Sequence, residues 1–187
     1  VKKYGIDDAY IQDFLSSMKA DLEKKEYKSL SEMNDYIYGS ADVVSLMCLK
    51  VFCRGDLKLF QSLVMPAMRL GSAFQKVNFL RDIKEDIQQL GRHYFPQVVV
   101  SQLDESTKAE LVKDIEKDFE VAYSGIRRLP DDSRLPVMVA YKYYRSLLHK
   151  IKQTPATELM NRRIRISDSR KLGLLITSRV KHILHLI

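Results

Sequence analysis

The chain has 187 residues, 45% hydrophobic and 29% charged, with no Trp, 7 Gly and 5 Pro. That length predicts a single domain over 1–187 able to bury about 70% of its unfolded surface, and so few Gly and Pro leave little room for linkers or low-complexity tails. Thirty-one Lys and Arg against 24 Asp and Glu give a net charge of +7, which fits nucleic acid, an anionic membrane face or a phosphorylated small molecule without choosing among them.

The chain opens on Val1, Lys2 and Lys3, with no initiator Met and no signal peptide. Residues 7–25 begin with acidic side chains, as a helix N-terminus favours, and place Tyr10, Phe14, Leu15, Met18 and Leu22 on one stripe. Ser29 and Glu32 form a capping box for a second helix running to about Phe52. Its apolar residues lie almost all round, so it is expected to be central. Cys48 and Cys53 fall in this stretch and are read as buried thiols in a reducing compartment. No uncharged run approaches the roughly 18 residues of a membrane span.

A third helix is predicted over 57–90, with Pro66 as a kink or break near its start and Gly91 as its C-cap. Residues 98–101, VVVS, are the one strand-like run. Further helices are predicted over 105–129, ending before Pro130, and over 134–154, closed by Pro155. An amphipathic helix over 169–187 ends the chain. The fold class is all-α.

Chemistry concentrates in residues 75–96, QKVNFLRDIKEDIQQLGRHYFP. Side chains three and four apart share a helix face, so Asn78, Arg81, Asp82, Glu85 and Asp86 line one side, with Gln75 a turn above. Two carboxylates and an amide oxygen in a column are hard oxygen donors of the kind Mg²⁺ prefers, and Mg²⁺ commonly completes its shell with water and phosphate oxygens. Arg81 and Arg92 offer charge-assisted bonds to such phosphates. The spacing alone is common on solvated helices. Asp114 and Asp118 repeat it among Lys113, Glu116 and Lys117, and that pair is read as an exposed charged face. Residues 78–86 differ in their apolar flanks, the coaxial Asn and the basic-aromatic turn that follows.

This segment resembles the second aspartate-rich motif of the squalene and phytoene synthases, QxxNxxRDxxxD followed by GRxYxP, matched by Gln75, Asn78, Arg81, Asp82, Asp86, Gly91, Arg92, Tyr94 and Pro96. Residues 35–52 are similar to the family's YCYxVAGxVGxM segment, 143–151 to its YxxIL segment and 162–175 to its basic C-terminal stretch, so the likeness covers most of the chain from about residue 10, with a lean towards the bacterial phytoene synthases. The resemblance implies an isoprenoid-synthase helical bundle around a central cavity and the Mg²⁺-assisted, head-to-head condensation of two prenyl diphosphates. Geranylgeranyl diphosphate to phytoene is favoured over farnesyl diphosphate to squalene or dehydrosqualene. It implies Asn78, Asp82 and Asp86 as metal ligands, Gln75, Arg81, Arg92, Arg163 and Lys171 around the diphosphate, and Tyr36 and Tyr144 as catalytic-cavity tyrosines.

Two departures stand out. Asp42 and Ser45 replace glycines of the family pattern, so the helix there is expected to pack less closely or to aim Asp42 into the cavity. The family's first aspartate-rich motif has no counterpart before Asn78, since Asp7, Asp8, Asp13 and Asp21 lack the spacing. The expectation is therefore a C-terminal portion of a longer synthase, inactive alone, that self-associates or pairs with the absent segment. A cytoplasmic location with peripheral contact at the inner membrane face is the expected setting. His182 and His185 lack further ligands nearby and are read as surface or interface histidines. The rival reading is a non-catalytic basic α-helical module for nucleic acid or a protein partner; it lacks a glycine-rich phosphate loop, a helix-turn-helix signature and an aromatic platform, so nucleic acid is not the expected partner.

Overall fold

The computed structural model describes residues 2–98 and 103–183, with side chains described through Arg179. The helices are α1 (Asp8–Glu23), α2 (Leu30–Ile37), α3 (Val43–Cys53), α4 (Leu57–Leu90), α5 (Glu105–Ile126), α6 (Asp131–Gln153), α7 (Ala156–Leu159) and α8 (Asp168–Ile183). No strand occurs among the described residues; one parallel bridge joins Glu26 and His93. Of the strand-like run only Val98 lies within the described residues, buried in a bend. The side chains of His182 and His185 fall outside them.

Local chemistry sets the helix ends. Asp7, Ser29, Asp56 and Asp104 are N-caps whose side chains accept from Ala9, Glu32, Leu59 and Thr107 N–H, filling donors that have no partner inside the helix. Glu32 reaches back to the Lys28 N–H at 3.1 Å, one residue before the Ser29 N-cap that the predicted box would have it meet. Gly91 ends α4 at φ 62°, a conformation that glycine adopts without steric cost.

Pro66 does not interrupt α4, which runs unbroken for 34 residues. A proline leaves the carbonyl four residues earlier without its helical donor. That carbonyl belongs to Ser62, and Arg128 supplies a replacement, with Nη1 3.3 Å from the Ser62 oxygen and Nη2 2.6 Å from its hydroxyl. The second predicted helix, by contrast, is two α-helices joined by a π-helical turn, Tyr38–Asp42. Nor is α3 buried all round: Cys48 is exposed, while Cys53 is buried. Leu30–Cys53 is long and apolar enough to cross a membrane, but its apolar surface packs against α1 and α4.

α4 is the axis of the molecule, in contact with α3, α5, α6 and the π-turn. The main core gathers Val77, Leu80 and Ile83 of α4, Ile115 and Phe119 of α5, and Leu147 and Ile151 of α6, all at most 5% exposed. The substituted glycine positions do not loosen the packing. The small residue sits across the interface instead: a Cβ on Gly71 of α4 would stand 2.7 Å from the Ala41 carbonyl oxygen and 2.7 Å from Ser45 Oγ. α1 is more peripheral than its stripe predicts. It has no buried residue, and Leu15 and Leu22 are 52% and 83% exposed.

Candidate active site

One face of α4 changes character along its length. Leu63, Pro66, Ala67, Leu70 and Phe74 line an apolar cleft of about 380 Å³, closed by Val44, Cys48 and Phe52 of α3, Ala122 and Ile126 of α5, and Val137 of α6. Leu63 to Phe74 spans about 16 Å of helix axis, and one more turn brings Asn78 onto the same face. The apolar trough therefore runs straight into the polar column. Tyr144 of α6 stands at the junction. Its ring stacks on Phe74 at 4.0 Å, and its hydroxyl donates to Asn78 Oδ1 at 3.3 Å.

Asp82 is 17% exposed and doubly engaged. Arg81 donates Nε and Nη2 to its two oxygens at 2.9 and 2.5 Å, and Arg163, from the segment between α7 and α8, places Nε at 2.7 Å. Arg163 also lies 3.5 Å from Glu85. It thus pairs with the acidic column itself rather than standing apart from it. Arg81 and Arg163 share a basic hollow of about 580 Å³ with Lys150, Arg165 and Lys171. Lys150 donates to the Arg165 carbonyl at 2.7 Å, and Lys171 pairs with Asp168 at 2.9 Å.

Asp86 is in a different state. Burial, then the negative charge of Asp82, pushes its carboxyl up to about 6, against the opposing pull of Arg92 and Arg81. Among the described residues no ion pair or side-chain hydrogen bond engages that carboxylate. A half-buried carboxylate short of positive charge beside a second carboxylate suits a bound cation. Among the described residues no cluster of three or more His, Cys, Asp or Glu forms a complete metal cage. Asn78, Asp82 and Asp86 are thus a partial donor set, of the kind Mg²⁺ accepts when water and phosphate fill the rest.

A second cluster lies past the end of α4. Tyr36, at the end of α2 and 6% exposed, stacks on Tyr94 at 5.4 Å and Phe79 at 6.1 Å, with Tyr27 5.0 Å away. Its hydroxyl donates to Asp21 Oδ2 at 2.9 Å. Burial, then the neighbouring Tyr94 and Asp21, raises the Tyr36 hydroxyl far above the usual phenol range. Arg92 donates to the Asp21 carbonyl at 2.5 Å and to Tyr94 Oη at 3.4 Å. The backbone fixes this pairing, since Tyr27 N–H donates to the His93 carbonyl and His93 N–H to the Lys25 carbonyl. Gln75 turns towards the π-turn, donating to Ser40 Oγ at 3.3 Å.

The sequence-predicted residues therefore divide. Asn78, Arg81, Asp82, Tyr144, Arg163 and Lys171 gather around the column and hollow, whereas Tyr36 and Arg92 belong to the aromatic cluster, with Asp86 between the groups. Asp21 is the residue that spacing arguments overlook. It stands alone in its helix pattern, and only the chain reversal between α1 and α2 carries it to Tyr36.

Two expectations fail. Asp118 is not on an exposed face: it is 5% exposed and accepts from buried Lys76 at 2.8 Å, with Asp114 on the same ammonium at 2.6 Å. Long-range packing of α5 on α4 brings Lys76 to the pair. Asp42 does not enter the cleft either. It is buried against α4, accepting from Ser72 at 2.8 Å.

The squalene/phytoene synthase family profile matches residues 1–170. The chain is 30% identical over 189 residues to the chloroplastic phytoene synthase 1 of Solanum lycopersicum, covering 92% of this chain and 45% of that protein. It is 27% identical over 194 residues to the phytoene synthase of Arthrospira platensis, covering 91% and 62%. A solved dehydrosqualene synthase in complex with ligand shares the fold at a TM-score of 0.77 and 24% identity, over 94% of this chain and 65% of that one. Squalene synthase from Alicyclobacillus acidocaldarius gives a TM-score of 0.69 at 18% identity, over 86% and 63%. The chain spans about half the length of the curated relatives it matches. A family profile running over nine-tenths of the sequence, on a helical bundle of the isoprenoid-synthase type, leaves one assignment: this chain belongs to the squalene/phytoene synthase family.

Proposed function

We propose that this chain forms the metal–diphosphate wall of a synthase that joins two prenyl diphosphates head to head, with geranylgeranyl diphosphate as the favoured substrate and phytoene as product. One observation carries the reading. The α4 face passes from an apolar trough to an acidic column bordered by a basic hollow, complementary to a ligand with a long hydrocarbon tail and a diphosphate head. The curated relatives reported above are phytoene synthases, which supports the longer substrate.

In this reading Asn78, Asp82 and Asp86 hold Mg²⁺, which when bound neutralises charge on the departing diphosphate. Arg81, Arg163 and Lys171 bind phosphate oxygens, Arg163 leaving Asp82 and Glu85 to do so. Leu70 and Phe74 keep the tail dry, and Tyr144 holds the Asn78 amide oxygen in place. The ring of Tyr36 faces developing positive charge. Gln75 borders the diphosphate from the π-turn side and Arg92 from the aromatic cluster. Turnover requires carboxylates beyond Asp82 and Asp86, so this chain alone is expected to bind rather than to convert.

Calorimetric titration with geranylgeranyl thiodiphosphate tests the reading. Binding should require Mg²⁺ and weaken by at least about tenfold in both D82A and D86A, as loss of an ionic ligand implies. Metal-independent binding that both variants retain would overturn it, and tight, salt-sensitive nucleic-acid binding would favour a basic helical module.

A further inference from the structure

Asp21 lies in the last turn of α1, far in sequence from the column on α4. One of its carboxylate oxygens accepts the Tyr36 hydroxyl proton at 2.9 Å. The other, Oδ1, is buried without a hydrogen-bond partner among the described residues, and so is the hydroxyl of Tyr27 beside it. Buried polar atoms are ordinarily satisfied, and an orphaned carboxylate oxygen costs free energy that the fold alone has no reason to retain. Arg92 compensates only in part: its Nη1 stands 4.0 Å from Asp21 Oδ2, while Nη2 is spent on the Asp21 main-chain carbonyl. Beside this carboxylate stand three tyrosine rings, Tyr27, Tyr36 and Tyr94, with Phe79 stacked on Tyr94 at 4.0 Å. Rings with a negative charge at their rim are the chemistry that recognises a cation.

We propose that Asp21 is the positioning residue of Tyr36. By accepting the phenolic hydrogen bond it keeps the Tyr36 proton occupied, holds the ring against Tyr27, Phe79 and Tyr94, and adds negative charge at the rim of these rings, so that this cluster selects a positively charged prenyl centre. The inference rests on the function proposed above, because it takes the site's ligand to be a prenyl chain that develops positive charge.

Two measurements test it. The first is carbon NMR of the chain carrying tyrosine labelled at Cζ, with the Tyr36 signal assigned through Y36F. In D21N, which keeps an oxygen acceptor and loses the charge, the Tyr36 signal should shift and titrate at lower pH than in wild type. A signal unmoved in D21N overturns the pairing, and this result is independent of any ligand. The second compares a geranylgeranyl-chain tertiary ammonium with its uncharged carbon isostere, each titrated with Mg²⁺ and inorganic diphosphate. Wild type should prefer the ammonium by roughly tenfold, D21N should lose most of that preference, and Y36F part of it. Equal weakening of both ligands in D21N would mark Asp21 as merely structural, and a wild type without preference overturns the cation-selecting role. Failure of the metal–diphosphate titration instead defeats the functional reading while leaving the NMR result to decide on Asp21. D21A serves as the harsher variant, and thermal denaturation of each protein separates unfolding from loss of selectivity.

Discussion

Asp82 and Asp86 on α4 and Asp114 and Asp118 on α5 share one spacing in one chain, and both pairs are drawn partly into the protein. They differ in what faces them. Asp118 and Asp114 converge on the single buried ammonium of Lys76, itself 6% exposed. Burial alone would lower the Lys76 pKa, but the hydrogen bonds it donates to Asp114 and Asp118 outweigh it and hold the ammonium above its ordinary range. That cluster is internally neutralised and faces neither the cleft nor the hollow. Asp82 has its cations from mobile-length arginine side chains, and Asp86 has none in contact. Carboxylates at four-residue steps are thus structural when a fixed lysine meets them and receptive when the counter-charge is incomplete. Spacing does not decide between the two; the opposing element does.

The largest effect should come from removing that lysine. K76M leaves the buried Asp118 carboxylate with only the half-exposed Arg69 guanidinium, 3.3 Å away, and breaking a buried ion pair from one side typically costs about 3–5 kcal/mol, which sets the upper bound. D82N, whose arginine partners can relax into solvent, and D86N, whose carboxylate has no cation in contact, should each stay within about 1 kcal/mol of wild type. Urea denaturation at matched m-values reads both. A K76M chain as stable as D82N would erase the distinction between the pairs.

How much of this was legible in the residues can be stated element by element. α4 was readable to its ends, because Asp56 and Gly91 are local stop signals and the helix between them is continuous. Pro66 marks no break, since the rescue of the Ser62 carbonyl comes from Arg128, distant in sequence. The π-turn at 38–42 carries no periodicity of its own. The shared face of Asn78 and Asp82 followed from their helical spacing, whereas the Tyr144 bond to Asn78 depends on how α6 packs on α4. The capture of Asp118 by Lys76, the exposure of Cys48 and the reach of Asp21 to Tyr36 all depend on which helix packs against which, and periodicity within one helix contains none of that.

A second prediction sharpens the comparison through Asp42, the acid that borders the neutralised cluster. Burial pushes its carboxyl up to about 7; the Ser72 hydroxyl and the cations Arg69 and Lys76 pull it down, and the charge of Asp118 adds to the rise. An unfolded Asp titrates near 3.9, so the folded chain holds a proton that the unfolded chain releases. Stability from this group is therefore full below about pH 4, falls as pH rises towards 7 by up to ~1.4 kcal/mol per unit, and is level above that. D42N removes the titration. The difference in melting temperature between D42N and wild type should grow in favour of D42N from pH 5 to pH 8. A constant difference would mean that Asp42 is not a buried, titrating acid.

The smallest effect separates the two members of the structural pair. The Asp114 side chain is 59% exposed whereas that of Asp118 is 6% exposed, although both bond the same lysine. An exposed partner exchanges its ion pair for water at little cost, so D114N should lose no more than about 1 kcal/mol. Lys76 then keeps Asp118 as its buried counter-ion, and the chain keeps its cooperative unfolding. D118N, in contrast, leaves Lys76 in the interior with only the exposed carboxylate, and its loss should exceed that of D114N severalfold. If the two variants proved equal, the neutralisation would be shared evenly along α5, and burial of Asp118 would no longer explain why this copy of the spacing is neutralised while Asp86 on α4 has no cation in contact.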